Sequence, residues 1–365
     1  MRLIKATFFL IGIAATLPAA EPLPKILTPH FTPPPELANQ YGDYKSLLRF
    51  DDGSEVKTAD DWKRRREEIR KTWHDLMGPW PEPIAKPKLE VLKSEKVDSY
   101  TRNHIRIEVA PGKTTEDAYL LVPDGKGPFP GVVVVFYDAA TGVGLGKKTM
   151  RDFALRLAKK GFVALSLGSA PETYYPNKET CKLQPLSYHA YVASNCRRAL
   201  ANRDDVDPKR IGIVGHSYGG KWSMFAAALD DEFACCVTSD PGIVFDEKRS
   251  NVNYWEPWYL GFEPGVMRKR GIPTDANGRT GPYKKMIEQG RDLHELHALM
   301  APRPFLVSGG SEDLVERWKP LNRSIEVNKL LGYENRVGLT LRKGHDPTEE
   351  AMEQIDAFFV HFLKK

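Results

Sequence analysis

In Ile211-Gly212-Ile213-Val214-Gly215-His216-Ser217-Tyr218-Gly219-Gly220-Lys221-Trp222-Ser223-Met224-Phe225-Ala226-Ala227-Ala228-Leu229, a short β-branched run meets a glycine-flanked serine and then a run of helix formers. The pattern G-x-S-x-G between a strand and a helix puts Ser217 on a sharp turn. Small neighbours on both sides leave room for a backbone forced into a strained conformation. The turn lifts the hydroxyl above the sheet, and the following helix aims backbone N–H groups at any oxyanion that forms. Ser217 therefore reads as a nucleophile rather than an incidental serine in a glycine-rich turn.

Working outward, strands and helices alternate. Strand signals fall at His104–Val109, Ala118–Val122, Val132–Phe136, Phe162–Leu167, Ala234–Thr238, Phe305–Val307 and Val337–Leu341. Helical patterns fall at Met150–Lys160, Leu186–Leu200, Lys221–Leu229 and Glu349–Leu363. The nearly continuous apolar run Val132-Val133-Val134-Val135-Phe136 suits a strand covered by helices on both faces. The expectation is an α/β fold with a doubly wound, mainly parallel sheet. One domain is expected: the catalytic domain is read as residues 101–365, with 21–100 an N-terminal arm and helix. That arm is proline-rich, and Asp60 is expected to cap a helix running to about Met77.

The rhythm breaks between Pro241 and about Arg291, where Phe245, Tyr254, Trp255, Trp258, Tyr259 and Phe262 accumulate. An insertion at a strand's carboxyl end lies over the active site in such sheets, so 241–291 reads as a cap. Its aromatics fit a stacking wall for sugar rings, with Trp255 and Trp258 the candidate contacts, or equally a loop that buries its own rings.

Composition narrows the function classes. The 365 residues are 41% hydrophobic, enough for one large core. The net charge of +5 is dispersed, and the basic run Lys63–Arg66 leads directly into Glu67 and Glu68, the look of a solvated helix face. Nucleic acid is not an expected partner. Residues 1–20 have the order of a secretory signal: Arg2 and Lys5, an apolar run from Ala6 to Leu17, then Pro18-Ala19-Ala20. The run is short for a bilayer and no cysteine marks a lipid anchor, so a secreted or periplasmic protein without a stable membrane anchor is expected. Of four cysteines, Cys235 and Cys236 are adjacent, while Cys181 and Cys196 fit either a bridge or buried thiols. No spacing suggests a metal, and no cofactor is expected.

Ser217 needs a base. His294, His297, His345 and His361 follow it. Only His345, in Arg342-Lys343-Gly344-His345-Asp346-Pro347, lies on a glycine turn between the last strand and the last helix, where the sheet delivers a base to the serine. The acid is open. Asp313, in Gly309-Gly310-Ser311-Glu312-Asp313, follows the penultimate strand and is preferred. Asp240, in Ser239-Asp240-Pro241-Gly242, follows the strand before it, and Glu312 is a third candidate. For the oxyanion, the backbone N–H of Tyr218 is expected together with one from the Tyr137-Asp138 loop.

From about Ile105 onward the chain resembles α/β-hydrolases of the dienelactone-hydrolase-like and acetylxylan-esterase-like group, in which Ala301-Pro302-Arg303-Pro304 is a familiar phrase. A sharper likeness is to glucuronoyl esterases, whose nucleophile motif runs G-C-S-R-x-G-K. Gly215-His216-Ser217-Tyr218-Gly219-Gly220-Lys221 keeps its serine, second glycine and lysine. The resemblance implies that Lys221 contacts sugar, and it keeps Asp240 in play as the acid. Tyr218 stands where that family has an arginine that assists the oxyanion, a departure that bears on uronate specificity rather than on ester hydrolysis. A serine nucleophile argues against dienelactone hydrolase or haloalkane dehalogenase activity. The expectation is a secreted serine esterase acting on a polysaccharide or a small ester. Its rivals are a peptidase of the prolyl-oligopeptidase kind, for which some hundred N-terminal residues cannot build a propeller, and a non-catalytic binding protein on a hydrolase scaffold.

Overall fold

A computed structural model of the chain describes residues 22–148, 150–169 and 183–364. The expected signal segment and Cys181, hence the Cys181–Cys196 pairing, lie outside the described residues. Cys196, Cys235 and Cys236 are buried thiols.

One sheet organises the molecule. From its first edge run β1 (Leu89–Val97), β2 (Tyr100–Ala110), β4 (Ala118–Pro123), β6 (Val163–Leu167), β5 (Phe129–Val135), β7 (Val206–His216), β8 (Cys235–Ser239), β9 (Phe305–Gly309) and β10 (Val337–Leu341), with β3 (Lys113–Thr115) paired to β2. The strands from β6 to β10 are parallel, and the first edge is antiparallel. After β5 the chain adds β6 on one side and then returns to add β7 on the other. That reversal opens a crevice at the carboxyl ends of β5 and β7, where ligands bind in open α/β sheets.

The valine run of β5 shows why both faces are apolar. Val133 and Val135 enter one core with α1 (Ala59–Met77), α4 (Pro185–Ala201) and α5 (Tyr218–Leu229). Val132 and Val134 enter a second core with α3 (Phe153–Lys159) and α9 (Glu349–Leu363). Among the described residues the remaining α-helices are α2 (Ala139–Gly142), α6 (Gly281–Glu288), α7 (His294–Leu299) and α8 (Trp318–Leu330). Among the described residues, no helix is long and apolar enough to cross a membrane.

The expected boundary near residue 100 does not divide two units. It falls at the tip of a hairpin, with Val97 paired to Tyr100, so β1 belongs to the main sheet. Helix α1 buries Trp62, Ile69, Trp73 and Met77 in the same core as α5. Its cap is Thr58 rather than Asp60: the Thr58 hydroxyl accepts from the Asp61 N–H, and the Asp61 carboxylate accepts from the Thr58 N–H. The preceding arm does wrap the domain, and Phe31 stacks on Phe358 of α9 at 6.4 Å.

Candidate active site

The turn after β7 explains its own sequence. Ser217 has φ +56° and ψ −114°, a strained conformation for a residue with a side chain. A Cβ at Gly215 would strike the Gly219 carbonyl, and one at Gly219 would strike the Val135 carbonyl of β5. Only glycine fits at either place. The Ser217 N–H donates to the Ser239 carbonyl at 2.7 Å, pinning the elbow to the end of β8.

His345 reaches this serine from the loop after β10. The Ser217 hydroxyl donates to His345 Nε2 at 2.9 Å, and Nδ1–H donates to Asp240 Oδ2 at 2.7 Å. The carboxylate on the Nδ1 side fixes that tautomer. Arg342 braces the loop by donating to the carbonyls of Ser308, His345 and Asp346. His216 packs its ring 4.7 Å from that of His345, and burial pushes its pKa well down, so it stays neutral beside the base.

The preferred acid is corrected by this geometry. Asp240, with φ +49°, turns its side chain toward the imidazole as soon as β8 ends. The glycine turn after β9 wraps the other oxygen: Asp240 Oδ1 accepts from the N–H groups of Gly310, Glu312 and Asp313 at 2.7, 3.0 and 2.9 Å. A Cβ at Gly310 would meet Asp240 Oδ2 at 2.7 Å, so the turn needs glycine to pass the carboxylate. Asp313 points the opposite way and accepts from the N–H groups of Gly242 and Ile243 at 2.9 and 2.6 Å. Burial, with the nearby Asp240 charge adding to it, pushes the Asp313 carboxyl up to about 6. Glu312 accepts from Ser311 and Asn251 and touches no histidine.

The expected sugar contacts also move. Lys221 is 2% exposed, and its Nζ donates to the carbonyls of Pro241 and Asn251 at 2.5 and 3.3 Å, between the rings of Tyr254 and Tyr259. Burial pushes its pKa down to about 8. It ties α5 to the cap instead of facing a cleft. Trp255 is 0% exposed and packs on Tyr283 of α6, so it cannot form a wall for a ligand. Trp258 is half-buried, with Arg270 over its ring at 5.8 Å.

The two loops expected to supply oxyanion donors are in contact, with the Tyr137 ring 5.0 Å from that of Tyr218. Tyr218 opens α5 directly behind Ser217. Asp138 caps α2, its carboxylate accepting from the Thr141 N–H at 2.8 Å. The Tyr137 carbonyl accepts from the Ser169 N–H at 3.1 Å, which ties this loop to the end of β6. Two features went unread in the sequence. One is the brace from Arg342, visible only as a basic residue three positions before His345. The other is a pair of exposed cations, Lys148 and Arg270, at the rim beside Tyr137.

Residues 117–241, from just before β4 to the turn after Asp240, match the dienelactone hydrolase family. A 4-O-methyl-glucuronoyl methylesterase of Thermothelomyces thermophilus is 22% identical over 340 residues, spanning 85% of this chain and 79% of that protein. An acetyl esterase of Xylanibacter ruminicola is 27% identical over 209 residues, which are 50% of this chain and 42% of the other. A solved glucuronoyl esterase from Solibacter usitatus superposes with a TM-score of 0.65 at 20% identity, over 87% of this chain and 97% of that one. The shared architecture is the α/β-hydrolase fold.

Proposed function

We propose that this α/β-hydrolase is a serine esterase that cleaves carboxylic esters on polysaccharide outside the cytoplasm. The observation that carries the reading is the hydrogen-bonded relay from Ser217 through His345 to Asp240 at 2.9 and 2.7 Å. A non-catalytic binding protein would have no need of a strained serine held against a base with a buried carboxylate behind it. Residues 22–100 form an arm, a helix and one edge strand rather than propeller blades.

Ser217 Oγ attacks the ester carbonyl as its proton passes to His345 Nε2, and the carbonyl electrons move onto oxygen. The imidazolium so formed lies against the Asp240 carboxylate. The Tyr218 N–H, at the start of α5, supports the oxyanion. Collapse expels the alcohol, which takes the proton from His345 and leaves an acyl-serine. Water, deprotonated by His345, then releases the acid and restores the serine.

Glucuronoyl and acetyl esters are the substrates named for the relatives. Lys148 and Arg270 form no ion pair among the described residues and put two positive charges beside Tyr137, which favours acidic glycans. The direct test is turnover on acetylated, feruloylated and methyl-glucuronate-esterified glycans, run beside Ser217→Ala. Loss of a nucleophile costs several orders of magnitude. A variant retaining more than about a tenth of the wild-type rate, about 1.4 kcal/mol of transition-state stabilisation, would sink the assignment.

A further inference from the structure

Parallel strands put residue levels in register, and the register of β5 and β7 has a chemical consequence. Val135 pairs with Gly215. Two residues further along each strand stand Tyr137 and Ser217, side by side at the mouth of the crevice. The intervening pair, Phe136 and His216, stack at 6.3 Å, so the register persists past the formal end of β5. Tyr137 does not swing freely from this point. Its ring lies parallel to that of Tyr218 at 5.0 Å and 22°, meets Phe136 edge-on at 5.0 Å, and carries Lys148 Nζ at 5.8 Å from its centroid. Its carbonyl is held by both the N–H and the hydroxyl of Ser169. The register of the two strands and the stacking on Tyr218 place this side chain next to Ser217, close enough for the phenol to interact with its hydroxyl.

The residue after the nucleophile cannot supply a side-chain donor. The Tyr218 hydroxyl is buried and bonded to the His189 imidazole at 2.9 Å, pointing into the core under α4. Its ring is the floor on which Tyr137 rests. We propose that the Tyr137 phenol, and not a side chain at position 218, is the second oxyanion donor of this site, acting with the Tyr218 backbone N–H. This rests on Ser217 being the nucleophile. In the resting site the serine hydrogen is committed to His345, so toward Ser217 the phenol O–H can act only as a donor. When Oγ bonds to the carbonyl carbon, negative charge appears on the adjacent carbonyl oxygen, and the phenol donates its hydrogen bond to that oxygen. No proton leaves the phenol. Desolvation of the phenol raises its pKa above that of an ordinary tyrosine although the residue as a whole is 49% exposed, and it stays a protonated donor at neutral pH.

Such a donor matters only as charge develops, so its loss appears in kcat rather than KM. Removing one oxyanion donor costs roughly 10²–10³-fold in kcat. The experiment is Tyr137→Phe in the full chain, which keeps the stacked ring and deletes only the hydroxyl. It is read by hydrolysis of an aryl acetate and by the rate at which a fluorophosphonate labels Ser217, with thermal midpoint as the fold control. Expected is a fall of about tenfold or more in kcat and in labelling rate, at unchanged KM and midpoint. A smaller fall, or a loss carried by KM alone, overturns the proposal. So does a Tyr137→Phe variant equal to wild type beside an impaired Tyr137→Ala, because the ring would then only pack. Wild-type protein that is neither active nor labelled would instead overturn the nucleophile reading, and this proposal with it.

Discussion

Asp240 and Asp313 lie on adjoining loops, those after the neighbouring strands β8 and β9, and both are 0% exposed. Each is held by backbone N–H groups, yet they serve different neighbours. Asp240 spends one oxygen on the turn after β9 and keeps the other for the His345 ring. Asp313 gives both oxygens to Gly242 and Ile243, where the cap begins. A carboxylate after a strand is therefore not enough to identify the acid of a relay. What decides is the backbone conformation at the acid itself, and the positive φ of Asp240 turns it toward the base.

The comparison breaks most directly by neutralising each acid in turn. Asp240→Asn should lower kcat by roughly 10³–10⁴, since the amide can no longer hold the reactive tautomer or stabilise the imidazolium. Asp313→Asn should change kcat less than about tenfold, because the groups that lose an acceptor are the start of the cap and Arg317 rather than His345. Steady-state rates on an aryl acetate at matched thermal stability decide it. A reversal of the two variants would return the acid role to Asp313.

The cap supplies the next test. Trp255 sits at 0% exposure against Tyr283, and its Nε1 donates to Glu256 at 3.2 Å. Trp255→Ala should cost about 3–5 kcal/mol of stability, the usual range for emptying such a site. It should act on large and small substrates alike. A rise in KM confined to a polysaccharide ester, at unchanged denaturation midpoint, would restore Trp255 to the substrate wall.

Asp313 also predicts a pH dependence distinct from that of the relay. Its folded pKa, about 6, lies above the ordinary 3.8. Between those values the folded chain keeps the proton while the unfolded chain releases it. Stability from this group therefore falls as pH rises from about 4 to about 6, and it is flat outside that window. Asp313→Asn should flatten that part of the profile. Parallel curves of thermal midpoint against pH for variant and wild type would remove Asp313 as the titrating group.

The sequence was most legible where one short-range rule governs. The strand–turn–helix around Ser217, the β5 valines and the placement of His345 all follow from local spacing and the parallel-sheet pattern. Strand β1 was missed because Lys93-Ser94-Glu95-Lys96 is polar, as suits an edge strand that faces solvent. Helix α8 was missed because Pro320 and its mixed polar residues mask an apolar side of Trp318, Leu321 and Val327. Lys221 and Trp255 were misplaced for a different reason. Burial depends on how the cap folds back on α5, and no local pattern encodes that. The choice between Asp240 and Asp313 depended on one backbone angle, to which residue identity gives no access.

The rim gives the smallest expected effect and sharpens the contrast between a buried lysine and an exposed arginine. Lys221 is consumed by cap carbonyls, whereas Arg270 is exposed, rests over Trp258 and lies close enough to Tyr137 to act on its phenol electrostatically. An exposed charge contributes under about 1 kcal/mol, and salt screens it. Arg270→Ala should therefore raise KM for an acidic glycan ester by only about two- to five-fold at low ionic strength. The change should vanish near 1 M salt, where the screening length falls to about 3 Å. A neutral aryl acetate should show no change at any salt. An equal KM shift on the neutral substrate would mean that Arg270 shapes the mouth sterically. No shift on either would leave the cationic rim without a part in substrate choice, and the preference for acidic glycans would have to come from elsewhere in the crevice.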